Sequence, residues 1–317
     1  LYMFTIKQPS TIIFGKYSAH VYKYPKNSLV ITSPGAKKRN WLEYLQLKDY
    51  YIFDQVESNP SISITTSIIN EFKKTNFPTV IGIGGGSCLD VAKFVAAKLN
   101  KKKILIPTTF GSGSDVTRIS VLKVDGKKQS FHDDNFVADV SIVDSDFLSN
   151  TPIQVKKNSA IDACAQCSEA FDSKSGNTYT RFLCKKAFDF LEDGILNKND
   201  EKLVMGSLIA GLGFGNCSTT LGHALSYVFS NEGFSHGHAL AYTTALAHKF
   251  NGSIFYDRFL HLVKELKFAP ISLDSDLDEA AELILTDSKH LDNNPKPVTK
   301  KDIILLLEQI NQVALSN

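Results

Sequence analysis

The stretch IGIGGGSCLDVAK, residues 81–93, constrains the fold of this chain more than any other. An apolar run (Pro78, Thr79, Val80, Ile81, Gly82, Ile83) ends in Gly84, Gly85 and Gly86. Ser87 follows, then an amphipathic run with Leu89, Val91, Ala92 and Phe94. That order reads as strand, tight turn and helix start. Without Cβ atoms the glycines accept φ > 0 and let backbone N–H groups approach a ligand. Ser87 is placed to cap the helix, and Asp90 to lie in a first turn where the dipole favours negative charge. Open N–H groups at the positive end of a helix make a seat for phosphate. Glycine clusters mark plain turns in many chains, so the seat gains its weight from the strand before it and the helix after it.

Strands and helices alternate through the first half. Strands are expected over 5–14, 28–32, 51–56, 78–83 and 103–107, the first a candidate hairpin arm broken at Pro9, with a helix over 61–74. This alternation implies a parallel sheet with crossover helices, whose ligands bind at the carboxyl ends of the strands. Beyond residue 150 helical periodicity takes over. Helices are expected over 156–171, 179–196, 200–214, 219–229, 240–250, 256–266, 277–285 and 300–313. The chain therefore reads as an α/β dinucleotide-binding domain, residues 1–150, and an all-helical domain, residues 151–317.

Composition narrows the partners. Of 317 residues 43% are hydrophobic and 21% charged, with a net charge of only +2. No strong field points to nucleic acid, and no apolar run is long enough to span a bilayer. The N-terminal stretch LYMFTIKQPSTIIFG alternates like a strand and lacks the layout of a signal peptide. Five cysteines, an odd number, suggest free thiols in a reducing cytoplasm.

A second loop, PTTFGSGSD over 107–115, follows the strand at 103–107 and offers hydroxyls and mobile backbone. Alone it reads as a solvent loop. Two such loops after neighbouring strands favour a dinucleotide cleft. In the helical half, Asp162 and Gln166 are four apart and share a helix face. His223 lies in LGHAL and His236 in SHGH. Carboxylate oxygen and imidazole nitrogen suit Fe2+ or Zn2+, although spacing alone leaves surface or core histidines the simpler reading. Cys164 and Cys167 form a lone C-x-x-C among small residues on a helix, which reads as packing.

Taken together these motifs resemble a known family. GGGSCLDVAK is similar to the GGGSxxDxAK signature of the iron-containing alcohol dehydrogenases, and PTTFGSGSDVT to their PTTxGTGSEVT loop. DACAQCSEAF resembles their metal-binding helix, GHALSY and FSHGHALA their histidine segment, and DNNP with Val298–Thr299 their C-terminal segment. The resemblance implies an N-terminal Rossmann-like nucleotide-binding domain, an all-α C-terminal domain and a site between them. It implies Asp162, Gln166, His223 and His236 as ligands of Fe2+ or Zn2+. Gln166 stands where the family usually has His, and Tyr227 where a His is often assigned to proton relay. The cofactor residues so assigned are Ser33, Gly84, Gly85, Gly86, Ser87, Asp90, Lys93, Thr108, Thr109 and Ser114.

Rossmann-type sites hold the adenosine ribose with an acid after the second strand. Here Thr32, Ser33, Pro34 and Gly35 follow that strand, with Lys37, Lys38 and Arg39 close behind. This favours NADPH over NADH. The implied reaction is metal-dependent reduction of a small aldehyde to a primary alcohol, with Tyr227 as the proton relay. Residues 118–131 also resemble a stretch of phosphonoacetaldehyde reductases, which implies 2-hydroxyethylphosphonate as product. Arg118, Lys128 and Lys296 are then candidates for the phosphonate, since a dianion needs cations or N–H donors. The alternatives are a general short-chain alcohol dehydrogenase, an enzyme like dehydroquinate synthase or glycerol dehydrogenase, and a metal-free nucleotide-binding relic. The family also suggests a homodimer.

Overall fold

The computed structural model describes residues 3–315. The chain divides into two compact units at Thr151 and Pro152. In the first, strands β1 (Thr11–Phe14), β2 (Leu29–Ile31), β3 (Tyr51–Phe53), β4 (Thr79–Gly84), β5 (Lys102–Pro107) and β8 (Val140–Val143) form one sheet. All pairings are parallel, in the order β1–β8–β5–β4–β2–β3. Helices α1 (Ile62–Phe72) and α2 (Gly86–Lys98) are among the crossovers. Parallel strands buried on both faces read as unbroken apolar runs, and VIGI and ILI do so here. Leu29, Ile31, Val80 and Leu105 pack with Ile68 of α1 and Val91 and Val95 of α2. The alternate residues Val30, Ile81, Ile83, Ile104 and Ile106 join Ile142 in a second cluster.

Two expectations change. Residues 5–10 form no strand, and β1 pairs parallel with β8 rather than in a hairpin. The hairpin lies elsewhere: β6 (Ile119–Val124) and β7 (Lys127–His132) pair antiparallel about Asp125 and Gly126. Those two residues have φ of 49° and 77°, the positive values a two-residue Asp-Gly turn needs to match the twist of its strands.

The second unit is helical throughout its described residues: α3 (Ile153–Asp172), α4 (Thr178–Leu196), α5 (Asp200–Phe214), α6 (Leu221–Asn231), α7 (His236–Asn251), α8 (Tyr256–Glu265), α9 (Leu277–Leu285), α10 (Ser288–Asn293) and α11 (Lys300–Leu315). Asn177, Asn199 and Asp276 accept from first-turn N–H groups and fix the starts of α4, α5 and α9. Leu225, Phe229, Ala281, Ile303 and Leu307 lie in its core. Helix α7 begins at His236, four residues before the expected start. The SHGH stretch looks like a polar loop, yet Gly237 brings it against α3: an added Cβ would collide with the carbonyl of Asn158. No helix among the described residues is long and apolar enough to cross a membrane.

Candidate functional site

In the first unit β2 leads outward to β3, and the chain then returns across β2 to β4. The strand order reverses there, so a crevice is expected at the carboxyl ends of β2 and β4. Thr32 Oγ1 donates to the carbonyl of Ile83 at 2.7 Å and ties these two ends together. Gly84 has φ +146°, where an added Cβ would press on Cys88 at 2.7 Å. The PTTFGSGSD loop packs over the next two glycines. A Cβ on Gly85 would lie 3.2 Å from Thr109 Oγ1, and one on Gly86 2.9 Å from Ser112 Oγ. The glycines therefore keep open a narrow backbone cradle, at a helix start whose first N–H groups have no intrahelical acceptor. That cradle fits the pyrophosphate of a dinucleotide.

Within this set the residues divide. Ser33, Gly85, Gly86, Ser87 and Thr109 are half-buried and within reach of a ligand, whereas Gly84, Asp90, Lys93, Thr108 and Ser114 are buried. Ser87 is not the cap, because α2 starts at Gly86 with Gly85 before it. The Ser87 hydroxyl instead accepts from the N–H of Asn59 at 3.3 Å. Asp90 lies beyond the first turn and accepts from Ser114 Oγ at 2.5 Å and Val121 N at 3.1 Å. Lys93 is fully buried, 3.4 Å from Asp90, and donates to the carbonyls of Ser114 and Ile119. Burial pushes the Asp90 carboxyl up and the Lys93 ammonium down, and each partner's charge opposes that. Asp90, Lys93 and Ser114 are thus spent on one another. They brace the loop over the cradle instead of reaching into it.

In the second unit Asp162, His223 and His236 each bring one ligand atom within 4.8 Å of the others. Asp162 Oδ1 lies 3.9 Å from His223 Nε2 and 3.7 Å from His236 Nε2. A tetrahedral ion with bonds of about 2.1 Å has ligand edges of about 3.4 Å, and both Asp162–histidine gaps lie within about 0.5 Å of that. Gln166 Nε2 donates to the same Asp162 oxygen at 3.0 Å. Gln166 Oε1 is buried with no hydrogen-bond partner from the chain, an acceptor left for a group from outside it. A carboxylate oxygen and two imidazoles suit Fe2+ or Zn2+, with Gln166 hydrogen-bonded to that carboxylate. The residues fit a metal ion.

Two neighbours escaped the sequence reading. Glu169, one turn beyond Gln166 on α3, is buried, with Oε2 3.1 Å from His223 Nδ1. Burial alone would push its carboxyl up, but His223, the Thr244 hydroxyl and His248 together hold its pKa at about 2. For His223, Glu169 and Asp162 outweigh burial and raise the pKa. His290 stacks on the His223 ring at 6.1 Å and lies 6.0 Å from the ring of Tyr227, with Nδ1 2.7 Å from Asp287 Oδ2. Cys164 and Cys167 are buried free thiols outside the metal cluster.

Of the three cations expected to hold a phosphonate, two lie at opposite ends of the β6–β7 hairpin. Arg118 lies 3.1 Å from Asp134, before β6. Lys128 faces Lys123 near the turn of the hairpin. Five strand residues separate the two positions, about 16 Å at 3.3 Å per residue. Lys296, in the second unit, donates to the carbonyl of Phe250 at 2.9 Å.

Residues 9–145 match the family described as "Iron-containing alcohol dehydrogenase", and residues 157–283 match "Fe-containing alcohol dehydrogenase family, C-terminal". The chain is 31% identical over 209 residues to the 4-hydroxybutyrate dehydrogenase of Clostridium kluyveri, covering 57% of this chain and 56% of that protein. It is 31% identical over 242 residues to long-chain-alcohol dehydrogenase 1 of Geobacillus thermodenitrificans, covering 65% and 61%. The chain thus spans little more than half of the length of these curated relatives. A solved sulfoacetaldehyde reductase from Bifidobacterium kashiwanohense, in complex with NAD+, superposes with a TM-score of 0.87 at 22% identity, covering 100% of both chains. At that identity the likeness speaks for the fold alone.

Proposed function

Because the chain belongs to the iron-containing alcohol dehydrogenase family, we propose that it reduces a small aldehyde to its primary alcohol. The cofactors of this family are a nicotinamide dinucleotide and iron. The observation that carries the reading is the convergence of Asp162, His223 and His236 beside the unpartnered carbonyl oxygen of Gln166. Residues 1–150 serve the dinucleotide, and residues 151–317 serve the metal ion and substrate. NADPH is favoured over NADH: no acid follows β2, and the Arg39 guanidinium folds back over Gly35, where an added Cβ would collide with it.

Asp162, Gln166, His223 and His236 would hold Fe2+ or Zn2+. When bound, the ion supplies Lewis-acid stabilisation of the charge that develops on a carbonyl oxygen, and the reduced nicotinamide supplies hydride. Gly84, Gly85, Gly86 and Ser87 receive the pyrophosphate. Thr108 and Thr109 line the nicotinamide side of the cofactor, on a loop held by Asp90, Lys93 and Ser114. Tyr227, half-buried one turn after His223, carries the proton on its Oη toward the alcohol oxygen. Tyr227→Phe is expected to lower kcat about 100-fold and to alter its pH profile, as loss of general-acid help does. An unchanged rate and profile would remove Tyr227 from the reaction.

The finer substrate reading is phosphonoacetaldehyde, giving 2-hydroxyethylphosphonate. The relative named for 4-hydroxybutyrate supports a small anionic substrate. The separation of Arg118 from Lys128 weighs against a grip by both, and keeps a general short-chain alcohol dehydrogenase as the second reading. Purified protein given Fe2+ or Zn2+, NADPH and either phosphonoacetaldehyde or butyraldehyde tests both, followed by loss of nicotinamide absorbance. No turnover with any aldehyde, together with no bound metal by elemental analysis, would overturn the reductase reading. Faster turnover of butyraldehyde would overturn only the phosphonate. A cytoplasmic homodimer completes the proposal, supported for the compartment by five buried free thiols.

A further inference from the structure

Glu169 is joined to three helices at once. Its own helix, α3, carries Asp162 and Gln166. Its Oε2 accepts from the backbone N–H groups of Thr220 at 2.8 Å and His223 at 3.3 Å, at the start of α6. Its Oε1 accepts from Thr244 Oγ1 at 2.7 Å on α7, the helix that begins at His236. Gly222 makes this possible. An added Cβ there would collide with Glu169 Oε1 and stand 2.6 Å from Thr244 Oγ1. The same carboxylate lies 3.1 Å from the Nδ1 edge of His223, whose Nε2 faces Asp162.

We propose that Glu169 is the positioning residue of the metal centre: its carboxylate, 3.1 Å from a His223 Nδ1 that has no hydrogen-bond partner in the chain, is the acceptor that nitrogen takes when Nε2 turns to the ion, and it clamps α6 and α7 to α3. This rests on the proposed metal site. A carboxylate accepting from the far nitrogen of a ligating imidazole fixes its tautomer and strengthens it as a ligand, and losing such a partner weakens metal binding 10- to 100-fold. The rival role for Glu169 is only that of a cap for α6. Glu169→Gln separates the two. The amide oxygen still accepts from Thr220 and His223, and Thr244 accepts from the amide nitrogen by turning its hydroxyl. What disappears is the negative charge at Nδ1.

The test measures zinc affinity by competition with a chelating dye, and the His223 Nδ1–H resonance by NMR of the zinc-loaded protein. In E169Q zinc affinity is expected to fall at least tenfold and the resonance to move upfield, with helical content by circular dichroism unchanged. Affinity within twofold of the parent and an unmoved resonance would overturn the proposal. Failure of the parent chain itself to bind zinc would overturn the metal reading instead. Should E169Q not fold, T244V reads the same quantity, since it withdraws one partner from the carboxylate and leaves its charge. Weaker zinc binding by T244V supports the clamp, and unchanged affinity overturns it.

Discussion

His248 shows what a single buried group contributes. It is 1% exposed, with Nε2 2.7 Å from Ser168 Oγ and Nδ1 3.8 Å from Asp172. Burial lowers its pKa from 6.5 to about 4, only partly opposed by Glu169. The unfolded chain therefore binds more protons than the folded one between those values, and stability falls as pH drops from 6.5 toward 4. Asp172 works the other way, since burial raises it to about 6. Comparison with His248→Gln isolates the histidine. The stability advantage of the parent over the variant in urea unfolding is expected to shrink by roughly 3 kcal/mol from pH 7 to pH 4. A constant difference would mean that His248 is not buried neutral. Glu169 was illegible in the sequence for a related reason. It stands in the DACAQCSEAF motif, but its partners Thr220 and Thr244 are 51 and 75 residues away. Nothing local marks such a residue.

At the level of elements the glycines say where helices and strands touch. Gly82 seats β4 on α2, since a Cβ there would stand 2.6 Å from that of Ala92. Gly237 does the same for α7 and α3, where an added Cβ would lie 2.7 Å from the Asn158 Cα. Gly237→Ala must push the start of α7 outward and carry His236 from Asp162. The expected cost is about 1–3 kcal/mol of stability, as for other overpacked sites, together with weaker zinc binding. Chemical denaturation and zinc titration of the variant check both, and unaltered affinity would mean that His236 does not depend on this contact. Periodicity made most helices and the inner strands legible, because apolar spacing alone decides them. It missed β8, whose VSIV run resembles any short apolar stretch, and the β6–β7 hairpin, although Asp125–Gly126 was the signal for it.

For the whole molecule, the two kinds of site divide along the chain. The glycine cradle lies before Thr151, and every candidate metal ligand lies after it. The order of the motifs made this division legible, whereas the hold of α6 and α7 on α3 belongs to tertiary contacts. Each ligand should therefore stabilise its own half. Zinc at 100 times its Kd is expected to add about 2.7 kcal/mol to the unit containing Asp162, shifting its unfolding upward by roughly 5–10 °C. NADPH should act on the other unit. In a calorimeter the thermogram would then separate into two endotherms, each answering to one ligand, and a chelator would lower one and spare the other. A single endotherm displaced as a whole by either ligand would show that the halves melt as one cooperative body. If they do not, warming the chain without metal would unfold the half that carries Asp162, His223 and His236 while the half with the glycine cradle stayed folded.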